Sequence, residues 1–312
     1  MTAHTARKVP QLRPGARIAL VAPGGPVTGE RIDAAASECR EFGFEPVLGL
    51  NAGARLGYLA GDDAGRAADL DAAFRDPRVD GIWALRGGYG AMRILETLDF
   101  EPMRRRPRPF IGFSDNTAIH LVLRRLGVVS FHGPHPGALA TAFSRECLAR
   151  VLGSPEPGGV LPPDPSAEPV ATLAPGTAEG VLAGGNLSLL AGSCGTPWAL
   201  DAAGCILVIE DVGEPIYRID RALVQLAAAG ALEDVAAFAF GRFTERPANE
   251  NDRPLEDVLV ELAVRYGVPA VLGLPVGHID AQWTVPFGVR ARLDAEHGRL
   301  ELLEPAVVGG DA

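Results

Sequence analysis

Short apolar runs alternate with longer amphipathic stretches through the first half of the chain. Ile18-Ala19-Leu20-Val21-Ala22 is wholly apolar and stops at Pro23-Gly24-Gly25-Pro26. A helical spacing of apolar residues follows over about 30–42, then Pro46-Val47-Leu48, a second helical stretch over about 64–74, and Gly81-Ile82-Trp83-Ala84-Leu85. A helix is predicted to begin near Gly90. Phe110-Ile111-Gly112-Phe113 gives another strand with a helix directly behind it, and Val128-Val129-Ser130-Phe131 follows. Continuous apolar strands, as opposed to alternating ones, belong to sheets covered on both faces. The pattern therefore predicts a parallel sheet flanked by helices.

Residues 153–176, GSPEPGGVLPPDPSAEPVATLAPG, hold seven prolines and read as an interdomain linker without a regular element. That divides the chain into an N-terminal α/β unit, 1–152, and a C-terminal unit, 177–312. In the latter, strands are predicted at about 178–183, 205–210, 236–240 and 269–273, and helices at about 186–193, 216–229 and 254–266. The closing stretch VRARLDAEHGRLELLE reads as a hairpin around Glu296-His297-Gly298. The class is α/β, with a second domain of mixed strands and helices. There is no internal repeat and no coiled coil.

Composition narrows the picture. A chain of 312 residues has room for about two domains, and 47% hydrophobic with 22% charged residues is ordinary for a soluble globular protein. The net charge of −10 argues against nucleic acid or an anionic membrane as the main partner. Lys8 is the only lysine, which excludes a Walker-type phosphate loop. Cys39, Cys147, Cys194 and Cys205 lie in apolar surroundings without CxxC spacing and read as reduced thiols, which fits the cytosol. The N-terminus lacks the apolar core of a signal peptide. Residues 181–200 could span a bilayer by length, but their glycines, proline and polar residues read better as strand, turn and buried helix. Arg104-Arg105-Arg106-Pro107-Arg108 reads as a solvated loop. Neither HExxH nor any histidine–cysteine ligand spacing is present, so no metal and no cofactor are expected.

Chemistry could sit at three places. In LRGGYGAMRIL, residues 85–95, glycines at a strand end leave amide N–H groups open to a ligand or an oxyanion, although the dinucleotide-binding spacing fails. In Gly112-Phe113-Ser114-Asp115-Asn116 the serine is either an N-cap, with Asp115 assisting the helix dipole, or a nucleophile at a strand-to-helix turn. A nucleophile needs a base. His4 lies near the terminus, His120 inside a helix, and His297 in a hairpin turn. His132 and His135 flank a proline turn, and His278 follows a strand and a glycine; His278 ranks first. Glu210 and Asp211 end a strongly apolar strand, where an unpaired carboxylate would be costly. A histidine ring would satisfy one of them, as would Arg218 or Arg221.

The pieces GYLAGDD, RAADLDAAFRDPRVDGIWALRGGYGAMRIL, FIGFSDNTAIH, LAGGNLSLLAGSCGTPW, ILVIEDVGEPIYRIDRAL and GLPVGH occur in one order over roughly residues 15–305. Together they resemble the LD-carboxypeptidase (muramoyltetrapeptide carboxypeptidase) family, to which microcin-immunity serine peptidases are related. The resemblance implies a flavodoxin-like N-terminal domain, a smaller β-rich C-terminal domain, often a homodimer, and a serine peptidase free of metal. It implies Ser114 as nucleophile, His278 as base and Glu210 as its orienting acid. The amides of Gly88 and Asp115 would form the oxyanion hole. The expected substrate is a murein tetrapeptide losing its terminal D-alanine during cell-wall recycling. Arg86, Asn186 and Arg218 are candidates for its free carboxylate by position. The competing readings are a microcin-immunity-type peptidase acting on peptidyl-nucleotide toxins, and a non-catalytic ligand-binding module.

Overall fold

The computed structural model describes residues 6–139, 141–247 and 251–309; His4 lies outside them. The apolar runs of the first half become a sheet ordered Glu45–Leu48, Arg17–Val21, Gly81–Ala84, Phe110–Gly112, Ser130–His132 and Val285–Phe287. The first five strands are parallel, and the last pairs antiparallel with Ser130–His132. In chain order the five read 2-1-3-4-5, the flavodoxin-like arrangement, whose ligand crevice opens where the order reverses. Here that reversal lies between Arg17–Val21 and Gly81–Ala84. The loops leaving their carboxyl ends are Pro23-Gly24-Gly25-Pro26 and Arg86-Gly87-Gly88.

The second sheet has eight strands, ordered Gly159–Val160, Arg299–Leu302, Arg290–Asp294, Thr177–Asn186, Cys205–Val212, Ala237–Thr244, Ala270–Leu272 and Ala171–Ala174. The run from Thr177–Asn186 to Ala270–Leu272 is parallel and its flanks are antiparallel. The helices Leu187–Gly192, Ile216–Ala228 and Leu255–Tyr266 fall where the apolar periodicity predicts them, as does the closing hairpin.

Three expectations change. The proline-rich stretch holds two short strands, Gly159–Val160 and Ala171–Ala174, at opposite edges of the second sheet. Edges tolerate nearby prolines because one side of the strand needs no ladder donors. The basic run is not uniformly solvated. Arg104 and Arg105 end the helix Glu101–Arg105 and pair with Glu101, whereas Arg108 is buried and donates to the carbonyls of Ala73, Asp76 and Val79. Finally, Val285–Phe287 comes from the C-terminal part of the chain yet completes the first sheet.

One apolar cluster fills the space between the sheets, joining Trp83, Ile111 and Phe131 to Leu182, Ile206 and Val208. Glycines set how closely the parts approach. A Cβ on Gly185 would stand 2.4 Å from Thr117 Oγ1, and one on Gly184 would stand 1.8 Å from the Val208 carbonyl oxygen. The helix Thr117–Arg125 thus rests directly on the second sheet, and Thr117 Oγ1 accepts the Asn186 amide at 2.9 Å. That contact brings the start of the helix to the end of the strand Thr177–Asn186, where Asn186 pairs in register with Glu210 of the next strand. Gly185→Ala would force the two apart. We expect it to destabilise the protein by about 1–3 kcal/mol, the usual cost of overpacking, read as a lower urea midpoint.

Candidate active site

Ser114 stands between the strand Phe110–Gly112 and the helix Thr117–Arg125, in a short 3₁₀ turn, Ser114–Asn116. Its φ is +61°, left-handed backbone that a non-glycine residue adopts only at a cost. An N-cap residue is extended and its oxygen accepts from the helix amides. Ser114 meets neither condition: its Oγ lies 3.1 Å from His278 Nε2. The capping alternative is therefore replaced by a half-buried hydroxyl at the cavity floor on a strained turn.

His278 Nδ1 lies 2.8 Å from Glu210 Oε2. Since a carboxylate accepts, Nδ1 carries the proton and Nε2 is left with a lone pair towards Ser114. Glu210 is fully buried, at the end of the strand Cys205–Val212 opposite a register shift in the neighbouring strand. Such a shift re-aims side chains. Burial raises the Glu210 carboxyl above its ordinary value, while the His278 hydrogen bond and charge pull it back. Burial disfavours the His278 imidazolium, but the hydrogen bond and charge of Glu210, with Asp211 and Glu245 behind, outweigh it and hold His278 above its ordinary value. Gly277, at φ +119°, makes room for this pair; a Cβ there would sit 3.0 Å from Glu210 Oε2. The loop after His278 is tied down by buried Ser144, which donates to the Asp280 carbonyl and accepts the Gln282 amide, each at 2.9 Å.

Opposite Ser114 lies the glycine loop. A Cβ on Gly87 would be 2.7 Å from Ser114 Cβ, and Gly88 turns at φ +80°. Among the described residues the amides of Gly88 and Asp115 have no protein acceptor. The Asp115 side chain does not assist its own helix, as the sequence suggested. It is buried, and its Oδ2 accepts the Ala91 amide at 2.8 Å, pinning the far side of the glycine loop; burial raises its carboxyl. Asn116 donates to the carbonyls of Arg86 and Phe113. Buried Arg66 ties the Pro23 and Gly90 carbonyls together and pairs with Asp63. Neither Asn116 nor Arg66 stood out in the sequence; a lone arginine in an amphipathic helix carries no local mark of burial.

Among the described residues the other histidines lie outside the Ser114–His278–Glu210 hydrogen-bond chain. His120 bridges the Gly112 carbonyl and Ser130 Oγ, and burial pushes it down to about 4. His132 is wholly buried and held well below its ordinary value by burial. His135 donates Nδ1–H to the Ala84 carbonyl at 3.1 Å and stacks on Phe113, and burial pushes it down to about 3. Exposed His297 pairs with half-buried Asp294 in the hairpin turn.

A cavity of about 750 Å³ opens above Ser114, lined among others by Arg31, Arg55, Arg86, Gly87, Gly88, Phe113, His135 and His278. Of the three side chains expected to meet a substrate carboxylate, Arg86 lines it. Asn186 and Arg218 do not. Asn186 is buried, caps the helix Leu187–Gly192 and donates to Asp211, while Arg218 pairs with Glu214 one turn away. The second carboxylate of the strand end, Asp211, also accepts from the Ser188 amide and hydroxyl. Among the described residues no group of histidine, cysteine, aspartate and glutamate could hold a metal ion.

A flavodoxin-like sheet sharing its core with a mixed second sheet, and a serine–histidine–glutamate hydrogen-bond chain where they meet, define a class of two-sheet α/β proteins. The chain belongs to the LD-carboxypeptidase family of hydrolases. Residues 18–133 match its N-terminal domain and residues 179–293 its C-terminal domain. A putative carboxypeptidase of Streptomyces coelicolor is 43% identical, covering 95% of this chain and 96% of that protein. The murein tetrapeptide carboxypeptidase of Pseudomonas aeruginosa is 36% identical, covering 91% and 94%. Among solved structures, muramoyltetrapeptide carboxypeptidase from Oxalobacter formigenes superposes with a TM-score of 0.80 at 33% identity, covering 92% and 98%. The microcin C7 self-immunity protein superposes with a TM-score of 0.86 at 22% identity, covering 96% and 99%, a likeness of fold.

Proposed function

We propose that this protein is a serine carboxypeptidase that removes the terminal D-amino acid from murein tetrapeptides, cutting after an L-centred residue. The observation that carries the reading is the His278 ring, which spans from Glu210 at 2.8 Å to Ser114 at 3.1 Å beside an open cavity. In this mechanism Nε2 takes the Ser114 proton as Oγ attacks the scissile carbonyl. Glu210 holds the ring tautomer and stabilises the imidazolium. The amides of Gly88 and Asp115 receive the developing oxyanion, a contribution of roughly 3–4 kcal/mol for one donor in comparable sites. His278 then protonates the leaving amine, and water, activated by the same nitrogen, hydrolyses the acyl-serine.

Arg86, at the mouth of the glycine loop, is assigned the free carboxylate of the leaving residue. Arg86→Gln is expected to raise KM about tenfold with kcat nearly unchanged, since a charged contact made equally in ground and transition states acts on binding. Steady-state kinetics on the tetrapeptide checks this.

The substrate class is tested by incubating the protein in parallel with a muramyl tetrapeptide and with an aminoacyl sulfamoyl adenosine. D-Alanine released from the first, with the second left intact, supports the carboxypeptidase reading; the reverse supports the microcin-immunity reading. The greater identity to carboxypeptidases favours the first outcome. All four cysteines are free thiols, and no described helix is long and apolar enough to cross a membrane. We assign the enzyme to the cytoplasm and, on family resemblance, to a homodimer, without nucleic-acid or membrane partners.

A further inference from the structure

Among the described residues the cavity above Ser114 is lined by three arginines, Arg31, Arg55 and Arg86, and by no carboxylate. This is unusual in a chain of net charge −10. Elsewhere the fold balances converging arginines: Arg66 and Arg93 share Asp63, Arg145 reaches Glu38 and Glu41, and Arg290 and Arg292 share Glu179. Among the described residues none of the three cavity arginines has an ion-pair partner. Arg86 donates to the Pro26 carbonyl, which orients it without neutralising it. Arg31 is half-buried and its Nε is buried without a partner. It also sits in the first turn of the helix Gly29–Glu41, where the dipole disfavours a cation. Burial and then the charge of Arg86 hold its guanidinium below the ordinary value, against the opposing pull of Glu38. Three like charges in one cavity, one of them partly desolvated, are a standing cost that a bound polyanion would remove.

One terminal carboxylate is satisfied by one guanidinium, which grips it with two parallel hydrogen bonds. That leaves two cations over. Arg86 and Arg55 also line the adjoining outer cavity beside Tyr58 and Tyr89, whereas Arg31 lines only the inner one.

We propose that Arg31, with Arg55 further along the same cavity, receives a second carboxylate carried by the acyl part of the peptide, beyond the one that Arg86 holds, so that free-acid peptides are cleaved in preference to amidated ones. The proposal rests on the carboxypeptidase reading for its substrate and adds a specificity that this reading does not require.

Two peptides test it: one ending in γ-D-glutamyl-L-lysyl-D-alanine with the glutamyl α-carboxylate free, and the same peptide with that group as its carboxamide. The wild type is expected to show a kcat/KM at least about tenfold higher on the free acid, the effect lying in KM, as for loss of a charge-assisted contact. Arg31→Gln should bring the two peptides within about twofold of each other by lowering only the free-acid value, and Arg55→Gln should narrow the gap. A wild-type ratio near one overturns the proposal, as does an Arg31→Gln enzyme that loses activity on both peptides in the same proportion. The two readings fail separately. If the wild type releases D-alanine from neither peptide, the activity assignment falls. The subsite is then judged by calorimetric titration of wild type and Arg31→Gln with the same two peptides. An advantage of the free acid that vanishes in Arg31→Gln supports it, and equal binding of both peptides by the wild type overturns it.

Discussion

Glu210→Gln is expected to lower kcat/KM for D-alanine release by about 10⁴-fold and to move the acid limb of its pH profile downward. Glutamine keeps the size of the side chain, but its amide can donate to Nδ1 and leave the wrong tautomer facing Ser114. The pH shift follows from the charge. In the wild type, burial works against the His278 imidazolium, yet Glu210, Asp211 and Glu245 more than compensate, so the ring titrates above 6.5. The base must be neutral, so wild-type kcat/KM should climb with pH through a limb above 6.5. Without the Glu210 charge, burial dominates and the limb of the residual activity falls. Stability moves in the opposite sense. A histidine raised in the folded state contributes stability that is fully present below its unfolded value and lost as pH rises through the folded one. The wild type should therefore lose that contribution on the alkaline side, and Glu210→Gln should show a flatter dependence in the same window. An unshifted limb in the variant would mean that Glu210 does not control His278.

Ser114→Ala and Ser114→Gly should each lose at least about 10⁴-fold in activity, yet differ in stability. The residue sits at φ +61°, where a Cβ costs about 1 kcal/mol and glycine pays nothing for the conformation. Ser114→Gly should thus be the more stable of the two by about 1 kcal/mol, a difference that urea unfolding resolves. A glycine variant less stable than the alanine variant, as the greater unfolded-state entropy of glycine gives at ordinary positions, would show that the turn is unstrained. An active alanine variant would remove Ser114 from the chemistry altogether.

What could be read from the sequence is what is local. Apolar runs that stop at Pro23-Gly24, Arg86-Gly87, Ser114 and Glu210 mark strand ends, and strand ends are where open α/β sheets present their loops. His278 was legible for the same reason, since it follows a short strand and a glycine. The misplaced residues also sit near strand ends, which is why position alone failed. Asn186 directly ends a strand, but its amide is spent capping the next helix and holding Asp211. Arg218 lies one turn into a helix and finds Glu214 first. Pairings between distant segments left no local signal, so Val285–Phe287 gave no hint of joining the first sheet. Neither did Asp115 betray that its carboxylate holds Ala91 and not its own helix. Arg31 and Arg55 come from separate segments that line one cavity only in the folded chain, and nothing local in the sequence marked either.

The role of Ser114 is tested most directly by D-alanine release from a muramyl tetrapeptide by wild-type protein and by Ser114→Ala, assayed side by side at equal concentration. The wild type is expected to release one D-alanine per tripeptide formed and the variant none above background, with a metal chelator leaving both unchanged. Equal release by the two proteins, or release by neither, would contradict it.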